Sequence, residues 1–321
     1  MSGMYQDISD SIVEAVREGV EGRDIAVAFS GGLDSGLVSA IARKYANSVR
    51  LYTCGTTNAY DVVMARDLSV RLGLPWVHVA VSKGMLEERI REMISNTGIT
   101  DPFTISYELP LYCVCRESAE EVMLTGQGAD EYFMGCAKFV GQTDEDYITL
   151  RDAGVERLLE ISVPAERTIA AHFGKGLVYP YLDDRVTAGV ASLDPEKLRP
   201  TDMDSRKAVL KQIAIDLGHP YLASRKKKSS QYGSGVTDLI RALAREHGMM
   251  FNEYVASLAD MVHGRPRNAR GSVINARIDS ILKVEAERII QEGGMTVSDA
   301  VDLFYRRIVR EGGLDWIKGD E

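Results

Sequence analysis

The chain has 321 residues, of which 45% are hydrophobic, 26% charged and 7% aromatic. This composition suits one large or two modest globular domains and excludes wholesale disorder, a collagen repeat or a disulfide scaffold. A formal net charge of -9 argues against a chain drawn as a whole to phosphate backbones or anionic membranes, and no stretch reaches the ~18 apolar residues of a membrane span.

Apolar residues recur at helical spacing through Ile8, Ile12, Val13, Val16 and Val20, and Gly22 ends that pattern. The four acids Asp7, Asp10, Glu14 and Glu18 in this opening segment are unlike a secretion signal, so a cytoplasmic location is expected. A strand-length apolar run, Ile25–Phe29, leads through a glycine turn into a second helical pattern at Leu37, Val38, Ile41 and Tyr45. Val49–Cys54 reads as a strand, Asp61–Leu72 as a helix and Trp76–Val81 as a strand. A helix from Lys83 to about Ile94, another through Leu109–Cys115 and a strand at Glu121–Thr125 follow. This alternation predicts an α/β fold, a doubly wound parallel sheet covered on both faces. Ligands in such sheets bind beyond the carboxyl ends of the strands, here just after Phe29, Cys54 and Thr125.

After about Gly141 strand signals stop, and helical stretches at Tyr147–Phe173, Arg206–Leu217 and beyond Gly235 predict a helical lobe over about 142–258. A basic stretch punctuated by Gly and Pro follows, and 259–271 reads as a linker. The remaining segment, 272–321, reads as one alternating strand, Ser272–Ile278, and two helices separated by Gly293 and Gly294. A lone strand needs a partner, which a second copy of the chain would supply. Thr296, with Asp299 three residues on, caps the last helix, and Val297, Ala300, Val301, Phe304, Ile308 and Val309 form its apolar stripe. Cys54, Cys113, Cys115 and Cys136 lack zinc spacing and read as free thiols.

Ser30-Gly31-Gly32-Leu33-Asp34-Ser35 sits where the first strand gives way to a helix. Glycines let successive backbone N–H groups face one concavity, and the helix start adds a positive dipole end, so an anion is expected there. The serines can bond phosphate oxygens, and Asp34 can hold the Mg2+ that accompanies a nucleotide. Neither a Walker lysine nor a dinucleotide glycine spacing is present. The segment resembles the pyrophosphate loop of the N-type ATP pyrophosphatases, whose adenine nucleotide alpha hydrolase-like fold cleaves ATP between its α and β phosphates. A second motif, Leu124-Thr125-Gly126-Gln127-Gly128-Ala129-Asp130-Glu131, follows the last strand. Asp130 there could share the metal with Asp34.

This second motif is similar to the Ser-Gly-Glu-Gly-(Ala/Ser)-Asp-Glu signature of the synthetase domain of asparagine synthetase and of its relative β-lactam synthetase. Leu51–Gly55 with Asp61, Leu109–Tyr112 and Tyr179–Asp183 resemble further segments of that family, so the resemblance covers roughly 1–258. It implies ATP and Mg2+ as cofactors, and ATP contacts from the first loop and from Cys54, Gly55 and Gly126. It also implies metal ligation by Asp34 and Asp130, and a pyrophosphate-facing lysine at Lys228 or its neighbour Lys227. The reaction implied is adenylation of a carboxylate, release of pyrophosphate, and transfer of ammonia or an amine. Gln127 stands where the family signature has glutamate, at a position that bears on the nitrogen nucleophile, and is a third candidate catalytic residue. No amino-terminal glutaminase domain is expected, since no cysteine stands at position 2, so glutamine as nitrogen source would need a separate glutaminase partner.

Asn275–Asp279, Thr296–Val301 and Arg307–Leu314 resemble the ribbon-helix-helix of RelB/DinJ-type antitoxins, over about 270–317. In that fold two chains pair their strands, and outward polar side chains enter the major groove. The resemblance implies a homodimer with Asn275 and Arg277 reading bases and Thr296 at a phosphate, or a dimerisation module without DNA. The leading expectation is thus an ATP-dependent amide-forming ligase. The alternative is an ATP- or metabolite-sensing DNA-binding regulator on the same fold.

Overall fold

Among the described residues five strands form one parallel sheet whose three central strands are largely buried, as happens where helices cover each side of a sheet. The computed structural model describes residues 5–224, 233–264, 276–293 and 295–313. Helix α1 (Gln6–Val20) precedes β1 (Asp24–Ala28), α2 (Leu33–Ala42), β2 (Ser48–Gly55), α3 (Tyr60–Leu72), β3 (Trp76–Ala80), α4 (Lys83–Thr97), α5 (Pro102–Glu117) and β4 (Val122–Leu124). The four-residue α6 (Ala129–Tyr132), α7 (Asp144–Arg157), α8 (Val163–His172) and β5 (Gly176–Val178) follow. All strand pairs are parallel, in the order β3-β2-β1-β4-β5. The chain therefore winds outward from β1 in both directions, as the alternation predicts, and the switch point lies between β1 and β4.

Period-two alternation sorts the strand side chains between two cores. Ile25, Val27, Leu51 and Leu124 join one core with α1, α2 and α3, while Ala26, Tyr52, Cys54 and Met123 join the other with α4, α5 and the helices Val236–Glu246 and Phe251–Val262. The predicted strands and helices up to Thr125 are present with boundaries shifted by a few residues. Three details differ from the sequence reading. Helix α5 starts seven residues before Leu109, at Pro102, where Asp101 caps it by accepting from the Thr104 backbone N–H at 2.7 Å. Pro110 inside it obscures the helical signal. The strand β5 was not legible, because three residues are too few to show a period and their pairing with β4 is supplied from a distance. Finally, the stretch between α7 and α8, Leu158–Ser162, is π-helical rather than α-helical.

The helices Ser280–Glu292 and Val297–Glu311 stand where the last segment was read as helical. Thr296 and Asp299 form the expected reciprocal cap: the Thr296 hydroxyl accepts from the Asp299 backbone N–H at 3.2 Å, and the Asp299 carboxylate accepts from the Thr296 backbone N–H at 3.1 Å. The stripe on Val297–Glu311 is not buried, however: Val309 is 82% exposed and Phe304 42%. Among the described residues no opposing face covers it. Of the strand expected over Ser272–Ile278, residues 272–275 lie outside the described residues, and 276–278 join no sheet among them. No helix among the described residues is long and apolar enough to cross a membrane. Cys54, Cys113 and Cys115 are buried free thiols and Cys136 is half-buried.

Candidate active site

The carboxyl ends of β1, β2 and β4 open into one cleft, and the two sequence motifs meet there. Ser30 and Ser35 close the first loop on itself. Their hydroxyls lie 3.2 Å apart, and the Ser30 backbone N–H donates to the Ser35 Oγ at 3.2 Å. Gly31 has φ +71° and its Cα is pressed against the backbone of Ala65 in α3, where a Cβ would overlap. Only glycine meets both conditions, so the loop lies flat on α3 and leaves the start of α2 facing the cleft. Gly126 likewise lets the second motif approach α2, since a Cβ there would stand 2.9 Å from the Ser35 backbone nitrogen.

That close approach brings Asp34 and Asp130 together. The two carboxylates converge on one cation, the Lys207 ammonium, at 2.5 and 2.7 Å. Lys207 has a positive φ of 57° and a side chain only 5% exposed, and Arg206 beside it donates to the Gly135 carbonyl at 3.0 Å. Gly135 leaves the space through which the lysine reaches, since a Cβ there would overlap both the Asp130 carboxylate and the lysine stem. Tyr181, fully buried, donates from its hydroxyl to the Asp34 carbonyl at 3.0 Å and fixes the first turn of α2. Two hard-oxygen acids sharing one positive charge at a helix start form a donor set that fits a Mg2+ carried by a polyphosphate. Lys207 was not legible in the sequence: it stands at the start of a stretch read only as a helix, Arg206–Leu217, and its two partners are brought to it by the fold.

The other expected residues divide clearly. Ser30, Gly31, Gly32, Asp34, Ser35, Cys54, Gly126, Gln127 and Asp130 all line the cleft. Leu33 turns its side chain into the core. Gly55 packs against Ser234, whose carbonyl accepts from the Thr56 backbone N–H at 3.0 Å, so this strand end supports the cleft wall without lining it. The Cys54 thiol is held protonated by its contact with Cys113 and by burial. Lys227, Lys228 and Asn275 lie outside the described residues. Arg277 is exposed, and the Thr296 hydroxyl is engaged in its cap, donating to the Asp299 carboxylate at 2.6 Å.

Gln127 does not stand alone. Its amide donates at 2.8 Å to Glu166, a residue of α8 that is 6% exposed. Burial pushes the Glu166 carboxyl up to about 8; nearby Tyr179 pulls it down, Glu131 raises it and the Gln127 amide lowers it. Glu108 on α5, 5% exposed, also lines the cleft, and burial together with the facing Glu166 raises it well above the carboxylate range. Both acids carried a sequence signal. Glu166 sits on the stripe Val163, Ile169 and Ala170, and Glu108 on the stripe Ile105, Leu109 and Tyr112, where a helix buries apolar residues. A charge at such a position marks a site or a paired core acid.

Comparison with known proteins places these elements in context. The asparagine synthase family model matches residues 7–159, and the RelB antitoxin model matches residues 271–316, which bears out both resemblances read from the sequence. A putative glutamine-hydrolysing asparagine synthetase of Methanocaldococcus jannaschii is 27% identical over 292 residues, covering 77% of this chain and 53% of that protein. A carboxyethyl-arginine β-lactam synthase of Streptomyces clavuligerus is 28% identical over 226 residues, covering 70% of this chain and 43% of the other. The glutamine-hydrolysing asparagine synthetase of Gallus gallus is 28% identical over 206 residues, covering 60% and 36%. The chain spans about half the length of the curated relatives it matches.

Proposed function

We propose that this chain is an ATP-dependent ligase that adenylates a carboxylate, releases pyrophosphate and passes the acyl group to ammonia or an amine. The observation that carries this reading is the convergence of Asp34 and Asp130 on one cation beside the serine-flanked glycine loop. The loop's backbone N–H groups and the Ser30 and Ser35 hydroxyls would hold phosphate oxygens, and the two aspartates would hold Mg2+. ATP with its metal supplies an electrophilic α-phosphorus and a stable leaving group. The chain's own work is then positional and electrostatic: it aligns the phosphates, keeps water out of the cleft, and balances charge on the departing pyrophosphate. Lys227 and Lys228 are proposed for that last task, and Lys207, paired with both aspartates, is proposed for it as well.

Incubation of the full chain with Mg2+, ATP and a panel of carboxylates and amines should yield AMP and pyrophosphate with the right pair. Exclusive formation of ADP would reject the mechanism. In domain terms the proposal assigns 1–258 to the ligase, 259–271 to a linker and 272–321 to a dimerisation or DNA-binding module.

The match of residues 271–316 to an antitoxin family favours a second, compatible reading in which the same chain binds an operator. Asn275 and Arg277 would read bases and Thr296 would lie near phosphate. Gel shifts on genomic fragments at two salt concentrations test it, since retardation lost steeply with salt marks phosphate contacts. Absence of any retardation at low salt would leave the module as a dimerisation device.

A further inference from the structure

Two thiols meet between the nucleotide cleft and a second cavity. Cys54, next to the last residue of β2, lines the cleft. Cys113 approaches it from α5 within the same buried core. Cys113 also lines a cavity of about 270 Å3 between β3, α4 and α5, together with Arg89, Arg116 and Val79, the last being the strand partner of Cys54. The two thiols share a hydrogen bond. That contact lowers Cys113 and raises Cys54, as a Cys54 S–H donating to the Cys113 sulfur does. Burial opposes the lowering of Cys113, Arg89 and Arg116 add to it, and Glu117 works against it. Cys115 is the contrast: its thiol donates to the Met123 sulfur at 3.9 Å, and burial pushes it up to about 12. A thiol eased toward thiolate beside a second thiol is the arrangement that oxidants select.

We propose that Cys113 and Cys54 are a modification site, a dithiol that a peroxide converts to a disulfide and whose closure weakens nucleotide binding in the adjoining cleft. The dithiol stands apart from the ligase reading, whereas its effect on the nucleotide rests on it. The second cavity gives a small peroxide a route to a residue that is 4% exposed. The Cys113 thiolate attacks one peroxide oxygen: the S–O bond forms, the O–O bond breaks, and the departing hydroxide takes up the proton that the thiol released. The Cys54 sulfur then attacks the Cys113 sulfur. The S–S bond forms, the S–O bond breaks, and the second hydroxide leaves with the Cys54 proton as water. Two thiols lose two electrons to one peroxide, which becomes two waters. A disulfide holds its sulfurs about 2.05 Å apart, closer than any hydrogen bond between them, so the end of β2 and α5 must draw together. Cys54 adjoins Gly55, whose packing against Ser234 supports the cleft wall, and the shift is thereby carried into the nucleotide site.

The test treats the reduced full chain with equimolar hydrogen peroxide, alkylates the remaining thiols in denaturant and maps the peptides by mass spectrometry. Two peptides joined through Cys54 and Cys113 should appear, lighter by two hydrogen atoms, with Cys115 alkylated and both thiols recovered by dithiothreitol. In Cys54→Ser the Cys113 sulfur should stop at the sulfenic acid, which dimedone traps. In Cys113→Ser no joined pair should form, and dimedone should label Cys54 about tenfold less than it labels Cys113 in the other variant; Cys113→Ala gives the same readout where serine disturbs the core. Titration with Mg-ATP should show an affinity about tenfold weaker in the oxidised parent, restored by dithiothreitol, and an affinity unaffected by peroxide in Cys113→Ser. Absence of the joined pair, joining through Cys115 or Cys136 instead, or a Cys54–Cys113 disulfide that leaves Mg-ATP affinity unchanged would overturn the proposal. A reduced chain that fails to bind Mg-ATP while the joined pair still forms would bring down the ligase reading and the nucleotide effect, and would leave the dithiol standing.

Discussion

The sheet region and the two carboxyl-terminal helices carry the same kind of sequence signal and reach opposite ends. In α2, Leu37, Val38 and Ile41 are buried, because the sheet and neighbouring helices provide the second face. In Val297–Glu311 the stripe is as regular, yet no residue of that helix is buried. Only Ile281 and Val284 of the preceding helix rest against the main core. An amphipathic pattern therefore states that a face needs covering and does not state what covers it. The cleft belongs to the region that covers itself, and that is why its charged groups have defined partners and shifted proton affinities.

If the cleft acids work as a pair because the fold buries them, the largest effect should come from the pair itself. Asp34→Ala should reduce AMP formation on the order of 1000-fold with the thermal transition little changed; undiminished turnover would remove the metal assignment. Lys207→Met leaves Asp34 and Asp130 facing each other and should cost about 3 kcal/mol in metal-free buffer, with Mg2+ restoring much of it. Urea melts with chelator and with Mg2+ measure this, and a variant indifferent to Mg2+ would mean that the acids do not share a cation. Leu37→Ala, deep in the self-covered core, should cost about 2–5 kcal/mol in the same melts.

A smaller effect is expected from Glu166→Gln, and its sign follows from linkage. The folded chain keeps the Glu166 proton up to about 8, whereas the unfolded chain loses it in the ordinary carboxylate range. Between those limits the folded state holds the extra proton, so stability is greatest at low pH and falls as pH rises toward 8. Glu108, also raised, adds a slope of the same sign. Glu166→Gln should flatten this dependence, and a slope unchanged from the parent would show that the carboxyl is not held protonated. Smallest of all, Phe304→Ala on the uncovered helix should leave the stability of the isolated chain within about 0.5 kcal/mol. Its effect should appear instead in sedimentation, as loss of self-association, and a core-sized destabilisation with no change in association would mean that the stripe packs within its own chain.

Much of the fold and of the phosphate loop was legible in the sequence because both are written locally. Strand runs such as Ile25–Phe29, the turn glycines Gly31 and Gly32, and the cap at Thr296 each rest on neighbours a few residues away. The approach of Asp130 to Asp34 was expected from two motifs that each follow a strand of one parallel sheet, a rule of topology that a sequence pattern can invoke. What the tertiary structure alone decided involves groups distant along the chain: Lys207 between the two aspartates, Glu166 against Gln127, and β5 beside β4. Their roles come from electrostatics and pairing across space. A polar residue's proton affinity and its partner depend on what the fold packs around it, and neither is encoded in its immediate neighbours.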